Sequence, residues 1–186
     1  MMKKLLLGGL TLLLAGCAGL AQLSAYSVTQ AELATLLEKQ LVAQERRVRV
    51  LGIPLQLTID EVATKIGPDD RNVVQLGSVA TTTVDVFGLT YDARVRLKVE
   101  GQPFYDNDKK AIFLRSLTLL DSTVDAGGYR GNLTPLTREF KGVLNRYLET
   151  NPVYRLDTSN TAINLLTKVP LQLDVESGKL VLKPQG

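Results

Sequence analysis

LTYDARVRLKVE, residues 89–100, alternates without a slip. Leu89, Tyr91, Ala93, Val95, Leu97 and Val99 fall on one parity, and Thr90, Asp92, Arg94, Arg96, Lys98 and Glu100 on the other. A period of two over this length is a β-strand with one dry and one charged face. At about 3.3 Å per residue, residues 89–99 run for roughly 35 Å, well beyond an ordinary strand. Such a strand belongs in an antiparallel sheet that hides its dry face, and accumulated twist makes a long sheet curl around whatever covers it.

The chain on either side supplies neighbours of the same kind. Val48 and Val50 alternate with arginines, and Leu55, Leu57 and Ile59 alternate with Gln56, Thr58 and Asp60, with breaks at Gly52-Ile53-Pro54 and Gly67-Pro68-Asp69-Asp70. Val74, Leu76, Ala80, Val84 and Val86 share even positions around Gly77, which predicts a long strand bent or bulged at that glycine and a tight connection at Phe87-Gly88. Downstream, Asp106-Asn107-Asp108 turns into an apolar, strand-like run from Ala111 to Asp125. A closing hairpin takes Leu171, Leu173 and Val175 through Ser177-Gly178 into Leu180 and Leu182.

Two amphipathic helices flank these strands. Thr29 followed by Glu32 is a capping box, and Leu33, Leu36, Leu37 and Leu41 behind it predict a helix from about Thr29 to Gln44. After Gly127-Gly128-Tyr129-Arg130-Gly131, which reads as a flexible loop, Thr134-Pro135 supplies a cap and a first helical turn. Leu136, Phe140, Val143, Leu144, Tyr147 and Leu148 form the apolar stripe of this second helix, Arg138, Lys141, Asn145 and Arg146 lie outside it, and Asn151-Pro152 stops it. It is expected to lie across the dry face of the sheet. A short helical segment is expected near Thr161 to Thr167. The fold class is therefore α+β, a long, strongly curved antiparallel sheet wrapped around an amphipathic helix, with an N-terminal helix and a C-terminal hairpin; no βαβ repeat is present.

The first residues carry an address. Lys3 and Lys4 precede the apolar run from Leu5 to Leu14, too short for a permanent span, and small residues follow. Leu14-Ala15-Gly16-Cys17 is similar to the lipobox of bacterial lipoproteins, in which the cysteine sulfur receives a diacylglyceryl group, the chain is cut before it and the new amino terminus is acylated, as with palmitate. That resemblance implies residues 1–16 as signal peptide, lipidation of Cys17, a lipidated tether over 17–28 and one folded domain over 29–186. Ala18 in place of an aspartate implies the outer membrane, facing the periplasm. Residues 18–28 read equally as a tether and as a frayed terminus.

Composition narrows the chemistry. The formal charge of the chain is +3, and removing Lys3 and Lys4 from its 22 basic residues leaves 20 against 19 acidic ones, a net +1. That balance gives no footing for a nucleic-acid partner, which needs a clustered basic face. Cys17 is the lone cysteine, so no disulfide framework is available, and histidine and tryptophan are absent. Asp106-Asn107-Asp108 lacks the remaining ligands of a calcium loop, the glycine-rich stretch lacks a phosphate-loop lysine, and Ser122 and Ser159 have no histidine to activate them. No enzyme activity, cofactor or metal is expected, although carboxylates alone can do acid and base work and no spacing nominates a pair.

Over most of residues 29–184 the chain resembles the YceB-like bacterial lipoproteins, a family without an assigned activity. The resemblance rests on the lipobox, on Pro103 to Leu114 with Lys110-Ala111-Ile112-Phe113-Leu114 at its centre, on Val124, and on Leu144-Asn145-Arg146-Tyr147-Leu148 leading into Asn151-Pro152-Val153-Tyr154. The glycine-rich stretch departs from that pattern. That family is similar in fold to the tubular lipid-binding (TULIP) proteins, which implies a curved sheet around a long helix with an apolar groove between them. A lipid or other apolar ligand, such as a fatty acid or phospholipid, is then expected against Leu33, Leu37, Val95, Leu97, Leu136, Phe140 and Leu144. Periodicity does not separate a groove lining from a packed core. The alternative is a structural or adaptor lipoprotein that holds another envelope protein and takes no ligand.

Overall fold

The computed structural model describes residues 25–42, 45–50, 53–86, 89–132 and 137–185. Ten strands and three helices follow in the order β1 (Tyr26–Thr29), α1 (Gln30–Leu41), β2 (Glu45–Val50), β3 (Ile53–Ile66), β4 (Val74–Val86), β5 (Leu89–Asp106), β6 (Ala111–Ala126), β7 (Tyr129–Asn132), α2 (Thr137–Thr150), β8 (Tyr154–Arg155), α3 (Thr161–Leu166), β9 (Leu171–Glu176) and β10 (Lys179–Pro184). The class is α+β with antiparallel sheets, as the alternation requires. β2 to β7 form a six-stranded meander in sequence order, joined by β8 on β6 to make a seven-stranded sheet, and β1, β10 and β9 form a second, three-stranded sheet. The lipobox with Cys17, the Phe87-Gly88 connection and the Thr134-Pro135 cap lie outside the described residues.

β5 runs for 18 residues, longer than its cleanest stretch of alternation. Its pairing with β4 is continuous from Val74↔Gly101 to Val86↔Leu89. Gly77 is no bulge: it pairs regularly with Ala63 and with Lys98. The irregularities fall elsewhere, at Ile59/Glu61 between β3 and β4 and at Lys98/Val99 and Glu100/Gln102 between β5 and β6. At the first, Asp60 is the extra residue, so the inward parity of β3 changes from odd at Leu57 and Ile59 to even at Val62, Thr64 and Ile66.

The core occupies one end of these long strands. Ile66, Val74, Ile112, Leu114 and Leu117 of the large sheet meet Leu33 and Leu37 of α1, Leu148 of α2 and Leu171, Leu180 and Leu182 of the small sheet. α1 begins with the expected capping box: the Thr29 amide donates to Glu32 Oε2 at 2.8 Å and the Glu32 amide to Thr29 Oγ1 at 3.2 Å. The Thr29 amide, together with the Thr29 hydroxyl that donates to the same Oε2 at 2.8 Å, holds the Glu32 carboxyl below its usual range. The helix stops at Leu41, short of Gln44, because Val42 turns extended and bridges Ile59 of β3. Tyr26 to Val28, expected in the tether, belong to the fold. Val28 is fully buried and pairs with Leu180, and Tyr26 Oη lies 2.5 Å from Tyr154 Oη.

The expected wrapping of a curled sheet around one helix is corrected. The sheets are open and uncurled, and α2 runs beside β6 rather than across the dry face. β7 and β8 both pair with the edge of β6, at Thr123–Ala126 and at Ala111–Ile112, and α2 lies between them in sequence and against the same strand. The Leu117 amide on this edge donates to Asn145 Oδ1 of α2 at 3.1 Å. A helix laid along an edge satisfies groups that would otherwise recruit another strand. Length is the physical reason for the correction: a 14-residue helix spans about 21 Å, whereas an 18-residue strand spans about 60 Å, so no single helix covers this sheet. The glycine-rich stretch is corrected too: Gly127 and Gly128, both at positive φ, make a tight turn and β7 follows at once.

Candidate functional site

Beyond the core, the inward positions of the large sheet line up in rows. One row is Leu57, Thr82, Ala93 and Ala126, the next Ile59, Ala80, Val95 and Val124, and the third Val62, Ser78, Leu97 and Ser122. Their parity is that of Leu76 and Val99 nearer the core, so the same face of the sheet continues outward. Four of the six positions on β4 and β5 hold alanine, serine or threonine, and the floor they make is shallow. From Ser78 to Thr82 it runs for about 13 Å along the strand.

The two helices stand at its sides. α1 rests on β3 and α2 on β6. The result is a strip with a small-residue floor between helical flanks, and Ala80, Ala93, Thr82 and Ser122 of that floor are buried. Val95 and Leu97 on the floor and Leu144 on the α2 side are half-buried. Thr82 is buried and spends its hydroxyl on the backbone, donating to Gln56 O at 2.8 Å. Leu33 and Leu37, expected to line a ligand site, are instead packed in the core at 0% and 4% exposure, so no side-chain surface remains there for a ligand. Leu136 and the side chain of Phe140 lie outside the described residues.

The opposite face is charged and carries depressions. One of about 370 Å³ has Gly77 and Ala63 in its lining with Glu61, Lys65, Arg96, Lys98 and Asp121 around them. Another of about 330 Å³ is lined by Thr81, Asp92, Arg94 and Asp125 among others. Charges of both signs at these rims make them poor hosts for a hydrocarbon. Near the core end of this face, Arg71 Nη1 reaches Glu100 Oε1 at 2.7 Å and Gln75 Nε2 reaches Glu100 Oε2 at 2.9 Å. Those donors, the Arg71 guanidinium first, hold the Glu100 carboxyl below its usual range.

Of the residues expected at the site, Val95 and Leu97 stand on this floor and Leu144 beside it on α2, and sequence reasoning missed the small residues that make the floor shallow. Their signal was the even-position series through Ser78, Ala80 and Thr82, where alternation persists while side-chain volume falls.

A family model matches residues 28–179. The chain belongs to the family described as protein of unknown function DUF1439. This DUF1439 chain is 25% identical over 175 residues to the uncharacterized lipoprotein YceB of Salmonella typhimurium, covering 91% of this chain and 90% of that one. It is 23% identical, with the same coverage, to the uncharacterized lipoprotein YceB of Escherichia coli. The resemblance drawn from the Pro103–Leu114 and Leu144–Tyr154 stretches therefore holds over most of the chain. A crystal structure of lipopolysaccharide binding protein is 15% identical with a TM-score of 0.28, covering 87% of this chain and 50% of that one; at that level the likeness carries no argument, and the chain spans half the length of that protein.

Proposed function

We propose that this chain is an envelope lipoprotein, anchored through Cys17 at the periplasmic side of the outer membrane, that shelters an acyl chain on the strip between α1 and α2. The name of its relatives and the Leu14-Ala15-Gly16-Cys17 motif support the anchor. One observation carries the ligand: the two central strands of the large sheet keep an apolar inner face, with Val95 and Leu97 half-buried, between helices that rest on their neighbours. An apolar floor with helical sides supports this reading. Each methylene removed from water contributes about 0.8 kcal/mol, so eight of them supply roughly 6 kcal/mol before association costs. No charged group is needed for that gain, and no enzymatic step is part of the reading.

The test is photocrosslinking of the full-length protein in membranes with a diazirine derivative of hexadecanol. Label on peptides from β4 and β5, reduced in Ala93→Trp, is the expected result. Label confined to other segments, or unchanged by Ala93→Trp, sinks the reading. Fractionation of Cys17→Ala tests the anchor separately, since an unchanged outer-membrane fraction contradicts it. A second reading, an adaptor for another envelope protein, draws on Leu165 and Val169, which leave 48% and 45% of their surface exposed at the end of α3 and just after it.

A further inference from the structure

The small sheet fixes which end of the domain faces the incoming chain. β1, β10 and β9 are antiparallel neighbours, with Tyr26 level with Leu182 and Leu182 level with Leu173. The chain therefore enters β1 at the end of the small sheet where β10 finishes and β9 begins. At that end the Gln185 amide donates to Pro170 O at 2.9 Å, which carries the ladder past Leu171. Pro170 stands three positions beyond Leu173, so it lies about 10 Å farther out than Tyr26 along the strands and two strand spacings, about 10 Å, to its side.

α3 and the turn after it form the tip of this end. Leu166 is packed in the core and Ile163 lies against it, and Leu165, adjacent to Leu166 on the helix, cannot share that side. Leu165 and Val169 are four apart and leave 48% and 45% of their surface exposed, with Lys168 and Pro170 exposed beside them. The segment is held in place: the Lys168 amide donates to Leu165 O at 3.2 Å, and Lys110 Nζ donates to Thr167 O at 2.9 Å. Scattered exposed aliphatic residues are ordinary. A fixed pair of them with a lysine between, at the end where the chain arrives from Cys17, is placed for the surface that holds Cys17.

We infer that the domain docks on the lipid leaflet by this tip, with Leu165 and Val169 among the upper acyl chains and Lys168 at the level of the phosphates. This rests on the reading of Cys17 as a lipid anchor and adds the face that the domain turns to the membrane. Residues 18–25 reach at most about 29 Å, so a tip about 10 Å ahead of Tyr26 meets the surface without stretching the tether. Aliphatic side chains seated at the headgroup boundary beside a lysine that keeps its charge in the polar layer make a stable interfacial contact.

The chain has no tryptophan, so Leu165→Trp and Val169→Trp each set a sole reporter at an exposed position. Full-length lipidated protein carrying either change is incorporated into vesicles of phosphatidylethanolamine and phosphatidylglycerol, with or without bromine on the upper acyl chains. Bromolipid is expected to quench both reporters about twofold or more, since an interfacial element buries its apolar side about 5–10 Å into the boundary. Leu120→Trp, at a position 43% exposed and about 30 Å along the chain of β6 from Lys110, is expected to keep its emission. Quenching at 120 equal to that at 165 and 169 overturns the tip as the docking face. Because tryptophan itself favours interfaces, Leu165→Ser is added to Val169→Trp; quenching at 169 is expected to fall by about half, and unchanged quenching overturns the role of Leu165. Flotation with the vesicles reports the anchor separately. Protein that floats with no quenching at 165 or 169 overturns the docking, spares the anchor and leaves the pair to a protein partner, whereas protein that does not float overturns both.

Discussion

Asn107 behaves as one residue of a strand that the backbone does not provide. It sits in the turn between β5 and β6, its Nδ2 donates to Leu171 O at 3.0 Å, and its Oδ1 accepts from the Leu171 amide at 2.8 Å. Leu171 opens β9 and is 1% exposed, so the pair fastens the small sheet to the end of the large one that holds the core. In Asn107→Ala the Leu171 amide loses its partner in a dry place, at a cost of about 1–3 kcal/mol. Leu171 O keeps the Gln185 Nε2 contact at 3.3 Å and loses less, so about 2–3 kcal/mol in all is expected. Asn107→Asp retains the acceptor for the amide but turns a carboxylate oxygen toward the Leu171 carbonyl. That repulsion raises the aspartate above its usual range in the folded state, because the protonated form can donate where the carboxylate cannot. A folded-state value raised above the unfolded one makes the variant gain stability as pH falls through it. Urea unfolding followed by far-ultraviolet circular dichroism should therefore show Asn107→Asp clearly below wild type at pH 8, with the gap narrowing by pH 5. A loss under about 0.5 kcal/mol in Asn107→Ala, the scatter of neutral surface changes, or a gap that widens on acidification, would refute the bridging role.

Other perturbations separate further contributions. A Cβ on Gly67, which holds φ at 60°, would stand 2.8 Å from Glu176 O, so Gly67→Ala should cost more than the ~1–3 kcal/mol of ordinary overpacking; a melting temperature within a degree or two of wild type would contradict this. Gly101→Ala meets Leu117 Cδ2 at 2.5 Å, and with Leu117 only 2% exposed about 1–3 kcal/mol is expected by the same unfolding assay. The Tyr105 hydroxyl is buried without a hydrogen-bond partner among the described residues, so Tyr105→Phe should be neutral or stabilising by up to about 1 kcal/mol, and a clear loss on denaturant titration would mean the hydroxyl is satisfied. Glu100 has its folded value depressed by Arg71 and Gln75, so its contribution is present above the unfolded value of about 4.5 and disappears as pH falls through the lower folded one. Glu100→Gln should thus lose stability against wild type at pH 7 and match it at the acid end of a pH series.

The legible part of this fold was its periodicity. The unbroken parity of residues 89–100 gave β5, and the change of parity between Ile59 and Val62 marks the slip at Asp60. Gly77 misled because glycine permits a bulge without requiring one, and continuous pairing with Ala63 and Lys98 was cheaper. The stripe on α2 showed which side of the helix is dry but not which strand receives it; the unpaired edge of β6, a long-range matter, decided that. β1 was hidden by its four-residue length, since Tyr26 and Val28 offer only two apolar positions and draw their order from β10. At the candidate site, alternation placed Val95 and Leu97 on the inner parity, while the shallow floor depended on residue volume across four strands. Leu33 and Leu37 show the converse: an amphipathic stripe looks the same whether it meets a ligand or a packed interior.

Because Tyr26 already belongs to the folded body, pairing with Leu182 of β10, the proposed anchor at Cys17 leaves only a short length of chain before the domain. Residues 18–25 are eight in number and stretch to at most about 29 Å. A lipoprotein held that closely can sweep only a low dome above its own leaflet, far less than the width of the periplasm. Under the proposed acyl-chain reading, cargo comes from the surface underneath it or from a visitor that reaches down to it, so a station suits this molecule better than a ferry.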